Sequence, residues 1–332
     1  MKLFLSLALF AAFLLCPTAC ADGVREGLSL AAVQALPALF PFFVVSGLLV
    51  RCDTARLSPL LAKPLARLYG LPPEAAPALV LGLIGGYPVG AATACALLSE
   101  GVLSREAAER VNRFCNCASP GFCVGLVGLG VFGSAQAGAM LYGIHIVSAL
   151  IVGFFFARTP LSALSQRIHN RNRTSFPSIF CASVQQAAST ALTVTAFLTM
   201  FSILLRLLSP VFALLPYGNV LDGMIELTNG LDELTVLTLA SFLLGFGGLA
   251  VQFQVRALAE AHDLPVRGLF AAKLLHGTLA AVLTAFLFAL SPAVLTVSSP
   301  ELTPISVRFR YTLAVLFVSA LYPIWGWKKR RK

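Results

Sequence analysis

The sequence predicts an all-α polytopic membrane protein of about eight transmembrane helices, arranged as two inverted repeats that contain broken or re-entrant helices. Three observations lead there. The 332 residues are 58% hydrophobic and 11% charged, with a mean hydropathy of +0.86, whereas a soluble domain carries about 25% charged residues. A glycine pair interrupts an apolar, helix-length stretch twice, at Gly85-Gly86 and Gly247-Gly248. The basic residues gather in short segments, as expected for loops that stay on the cytoplasmic side.

Residues 3–15 are apolar after Lys2, and Ala19-Cys20-Ala21 resembles a signal-peptidase site. We read residues 1–21 as a first membrane helix or signal anchor. A second span covers about residues 35–50, with Pro37 and Pro41 expected in an entry turn rather than a helix interior. Arg51, Arg56, Lys63 and Arg67 follow it and mark a cytoplasmic loop. A third span, 75–99, carries the first glycine pair. A short amphipathic helix runs from Ser104 to Phe114, and Asn116-Cys-Ala-Ser-Pro-Gly121 then reads as a turn between apolar stretches. The fourth span is 134–157.

Residues 158–176 form a basic linker without an acid, and 328–332 a basic tail, both expected to be cytoplasmic. Spans at 186–208, 235–257, 269–290 and 311–327 complete the set. The sixth of these spans in chain order carries the second glycine pair. The acidic segment 209–234 fits the outside. Charge parity then requires an even number of crossings between residue 73 and the linker, so residues 114–132 are expected to be re-entrant. The chain divides into 1–21, a first repeat at 35–157, the linker 158–176, a second repeat at 177–290, and a last helix with its tail at 311–332. Sliding the halves by 162 positions superposes Gly85-Gly86 on Gly247-Gly248.

Helix breaks free backbone groups that lipid cannot satisfy, so in such repeats they mark a midplane site. Candidate substrate-binding residues are Gly85, Gly86, Tyr87, Asn116, Ser119, Asn229, Gly247, Gly248, Gln252 and Gln254. The glutamines sit one turn into a half-helix whose positive end favours a carboxylate. Glu226, in Glu226-Leu-Thr-Asn-Gly230, is an ionisable group in an apolar setting and is assigned to a coupling proton or cation. His145 and His276 lie deep within spans and are candidates for proton relay. Arg113 could face an anion or snorkel to the interface. Lys273 and Arg206 are expected at the interface.

The eight cysteines do not form a disulfide framework, and Cys115, Cys117 and Cys123 lack the paired spacing of a zinc site; no metal or cofactor is expected. No phosphate loop, H-E-x-x-H or serine elbow occurs, so an enzyme is not expected, and the net charge of +10 reflects topology rather than nucleic-acid binding. The expected partners are the lipid bilayer, a small anionic substrate and a coupling proton or sodium ion. A homo-oligomer is left open.

Gly82-Leu-Ile-Gly-Gly-Tyr-Pro-Val-Gly90, Phe114-Cys-Asn-Cys-Ala-Ser-Pro-Gly121, Glu226-Leu-Thr-Asn-Gly230, Gly247-Gly-Leu-Ala-Val-Gln-Phe-Gln254 and Leu275-His-Gly277 together resemble the sporulation integral membrane protein YlbJ family, also called stage V sporulation protein V. The resemblance runs from about residue 25 to 290. It implies gate-type repeats of the nucleoside-recognition kind and movement of dipicolinate across the outer forespore membrane during endospore formation. It leaves a nucleoside-type transporter, or a non-transporting scaffold for spore envelope assembly, as alternatives. Cys117 and Ser119 depart from the family pattern, which commonly has a polar residue and a glycine there.

Overall fold

The computed structural model describes residues 1–51, 64, 67–157, 175–215, 218–231 and 236–290, and all regular structure among them is helical. The expected span 311–327, the tail, Arg56, Lys63 and almost all of the linker lie outside the described residues. Among the described residues five helices are long and apolar enough to cross a membrane: Pro17–Arg51, Ala135–Phe155, Phe176–Phe212, Leu237–Glu260 and Leu269–Leu287. Four shorter apolar helices accompany them, among them Pro73–Ile84, Val89–Ser99 and Gly121–Val131.

Helix α1 (Lys2–Leu15) buries no residue. A new helix opens at Pro17, where a missing N–H costs nothing, as α2 (Pro17–Leu30) and continues through a π turn (Ala31–Ala35) into α3 (Leu36–Arg51). The expected entry turn at Pro37 and Pro41 is therefore corrected: both prolines lie within α3. The π turn just before them widens the backbone register where proline cannot donate to the preceding turn. Gly23 and Gly27 let α2 press onto α8 (Phe176–Phe212). A Cβ at either would come within 2.6 Å of the Ile203 or Thr199 Cα.

The third expected span is corrected more deeply. Helices α4 (Ala76–Ile84) and α5 (Val89–Ser99) do not continue one another. A Cβ on Gly82 would lie 2.8 Å from the Gly90 Cα and 1.9 Å from the Cys115 carbonyl oxygen, so the chain doubles back at 85–88. Arms of 9 and 11 residues reach about 14 and 17 Å, half of the ~30 Å hydrocarbon core. Each arm is too short to cross that core by itself.

Residues 114–132, expected to be re-entrant, instead run the length of α7 (Ala135–Phe155) in the opposite direction. Phe114 packs at Gly153, the Ala118 N–H bonds to His145, and Gly128 meets Gly138. The π-helical segment Gly121–Val131 supplies the second half of that path. The amphipathic helix α6 (Arg105–Asn112) forms as expected, with Ser104 accepting the Ala107 N–H at its start. The second half has α8, the short pair α9 (Gly218–Ile225) and α10 (Leu227–Leu231), the broken pair α11 (Leu237–Phe246) and α12 (Gly248–Glu260), and α13 (Leu269–Leu290).

Candidate functional site: a buried polar centre where broken helices meet

The tip of the α4–α5 hairpin is Gly85-Gly86-Tyr87-Pro88. Gly86 takes a φ of +91°, which a side chain would resist, and its carbonyl accepts the Val89 N–H at 2.9 Å to turn the chain. This places the buried ring of Tyr87 against the second break. Its hydroxyl donates to the Leu244 carbonyl, and a Cβ on Gly247 would sit 3.4 Å from its Cε1.

At that break Gly247 and Gly248 both have positive φ, +78° and +72°, so the helical ladder stops and carbonyls are freed. The Gly247 N–H still reaches the Leu243 carbonyl at 2.8 Å. Tyr87 takes the Leu244 carbonyl, and Gln252 Nε2 donates back to the Phe246 carbonyl at 3.3 Å. Gln252 thus completes the break, and Gln254 is buried one turn beyond Ala250.

A third interruption lies between α6 and the π-helical segment. Asn116 Oδ1 accepts the Ala91 N–H of α5 at 2.8 Å, and its Nδ2 donates to the Asn112 carbonyl at 2.8 Å. The Cys117 N–H reaches the Gly82 carbonyl, the Ala118 N–H donates to His145 Nε2 at 2.9 Å, and Ser119 Oγ accepts the Phe122 N–H. Side chains predicted to bind substrate therefore satisfy backbone groups at membrane depth, where no water or lipid group would.

His145 and His276 are buried and stacked, with ring centroids 4.4 Å apart and 27° between planes. His276 Nε2 lies 2.9 Å from the His145 carbonyl oxygen and so carries the proton that bonds to it.

Lys273 corrects the expectation of an interfacial residue: it is 1% exposed. Its ammonium donates to the Asn116 carbonyl at 2.7 Å and lies 5.0 Å from the Tyr87 ring centroid, a cation–π arrangement. Among the described residues it has no ion-pair partner. Its place in the first turns of an apolar helix hid it. The available signal was His276 three residues on, which shares its helix face. Arg206 does sit at the surface, paired with Glu26 at 2.7 Å. Arg113 is held by Glu109 at 2.7 Å, by the Arg267 carbonyl at 2.9 Å and over the Phe156 ring.

The structure thus gathers Tyr87, Asn116 and Gly247 against Lys273, with the stacked His145 and His276 joined to the same segment through the Ala118 amide, while Gly86 faces Ser119 and Gly85 packs on Leu81 and Val89. Glu226 is buried at the junction of α9 and α10. Its neighbour Leu227 stands at the second break, with the Leu227 nitrogen 3.1 Å from where a Gly248 Cβ would lie. Asn229 belongs to α10, and its side chain lies outside the described residues.

Cys117, His145 and His276 offer one ligand atom each within 4.8 Å of one another. Stacked rings direct their lone pairs side by side, so one ion bound at about 2.0–2.1 Å cannot lie in both ring planes unless a ring turns. Cys115 and Cys123 pack against backbone, at Gly90 and Gly138 respectively.

Apolar helices of spanning length, enclosing polar groups at their breaks, make this a polytopic helical membrane protein. The chain is 29% identical over 320 aligned residues to the sporulation integral membrane protein YlbJ of Bacillus subtilis (strain 168), covering 82% of this chain and 78% of that protein. That likeness supports membership of the YlbJ family. No family model matches the chain, and no solved structure matches it.

Proposed function

We propose that the chain is a secondary transporter of a small organic anion with a membrane role in sporulation, and that its cargo is dipicolinate, the substrate the family resemblance implies. The observation that carries this reading is the junction of Tyr87, Gly247 and Lys273. A hairpin of half-membrane length meets a broken helix there, around a buried ammonium without an ion-pair partner among the described residues. A buried cation is costly in a membrane and marks a ligand path or charge partner. A scaffold has no use for it at the meeting point of two breaks.

In this reading the halves are inverted repeats, in a register different from the one the glycine pairs suggest. His145 and His276 stand 131 positions apart, and the same spacing relates Asn116 in the first interrupted path to Gly247 in the second. Each interrupted path accompanies the helix that carries its histidine, α7 or α13. The α4–α5 hairpin then has its counterpart in the shorter pair α9–α10, whose junction at Glu226 lies 139 positions after Tyr87, eight beyond that register. Glu226 and the histidine pair are the groups available to a coupling proton or sodium ion. The outer forespore membrane is the location that fits such a carrier.

The test is uptake of labelled dipicolinate and labelled uridine into vesicles containing the purified protein. Saturable dipicolinate uptake, absent from empty vesicles, is the expected result. Uridine uptake alone would favour nucleoside-type transport, and uptake of neither would leave the scaffold.

A further inference from the structure

Three buried side chains around the centre carry donors that their surroundings leave unused. Lys273, 1% exposed, has three N–H bonds to give and spends one on the Asn116 carbonyl. His145 is fully buried. Its Nε2 accepts the Ala118 N–H, which places the ring proton on Nδ1, and Nδ1 has no partner among the described residues. Asn112, 1% exposed, has an Nδ2 amide without an acceptor. Buried polar groups are nearly always satisfied, so each exception requires an explanation.

The three belong to one neighbourhood. Residues 112–118 hold all of them: the Asn112 carbonyl binds Asn116, the Asn116 carbonyl binds Lys273, and the Ala118 amide binds His145. Lys273 also lies one turn from His276, which stacks on His145 at 4.4 Å. The unused groups are all donors. A neutral hydroxylated ligand would call for a mixture of donors and acceptors, whereas a carboxylate offers only acceptors and a charge to match the ammonium.

We infer that Lys273, His145 Nδ1–H and Asn112 Nδ2–H form a carboxylate-binding subsite, with Lys273 as its charged anchor. This deepens the transport reading, rests on it for the biological cargo, and is separable from it by a binding measurement.

The experiment is calorimetric titration of the purified full-length protein in detergent with dipicolinate and with its diamide, the same ring bearing two uncharged amides. We expect dipicolinate to bind at least tenfold more tightly than the diamide. Lys273→Met should remove that preference. Equal affinity for the two compounds in the unsubstituted protein overturns the subsite, as does the absence of dipicolinate binding. Should Lys273→Met fail to fold, the comparison of ligands on the unsubstituted protein still decides, and Asn112→Leu, expected to weaken dipicolinate binding, gives a second reading. Tight binding without uptake into vesicles would sink the transport function and leave the subsite standing.

Discussion

The phenol of Tyr87 donates a hydrogen bond to the backbone carbonyl of Leu244, a residue 157 positions further along the chain. A hairpin tip in one half thereby completes the helix break of the other. Tyr87→Phe keeps the ring and removes the donor, leaving a buried carbonyl unpaired. The expected cost is about 1–3 kcal/mol, read as a lower thermal midpoint in detergent. An unchanged midpoint would mean that the contact does not join the halves.

Glycine spacing makes a second, sharper prediction. Gly82→Ala would drive a methyl group into the Cys115 backbone, where only 1.9 Å is available, so folded yield should fall several-fold. Gly143, on α7, has nothing within 4 Å of an added Cβ. Gly143→Ala should be neutral, or stabilising by up to about 1 kcal/mol through helix propensity. Size-exclusion yield of the two variants, side by side, checks the hairpin geometry.

Glu226→Gln should impair dipicolinate uptake more than it impairs folding. A carboxylate within a membrane costs on the order of 2.5–3.5 kcal/mol on insertion scales, and a purely structural role could be filled by the amide at lower cost. Normal uptake at matched expression would return Glu226 to a structural part.

Topology provides a test that does not depend on any ligand. A cysteine at position 171, in a background lacking the eight native cysteines, should react with a membrane-impermeant reagent only from the cytoplasmic side. Reaction from outside would end the inverted pairing.

The helical class and the two breaks were legible because their signals are local: apolar length, glycine pairs and basic clusters. Whether a glycine pair makes a hairpin or a kink is not local. It depends on Gly82 and Gly90 accepting the Cys115 carbonyl between them, and on Gly247 fitting against Tyr87. Pro37 and Pro41 misled for a related reason, since the compensating π turn at Ala31–Ala35 has no proline or glycine of its own to announce it. Asn116, Ser119 and Gln252 were correctly picked out as unusual for lipid surroundings, but polarity alone does not say whether such a group binds cargo or the backbone. Lys273 was missed because linear distance from a helix end is a poor guide to depth once neighbouring segments fold over that end.

The half-length arms of the α4–α5 hairpin also bear on voltage. Their tip ends at the polar centre, where it meets the broken α11–α12 segment. For a centre lying between the two faces, only part of a membrane potential falls on each side of Lys273. An elementary charge crossing the whole bilayer exchanges about 2.3 kcal/mol per 100 mV. A charged cargo leaving the centre for either face would exchange only a fraction of that, so neither half of its journey feels the full field.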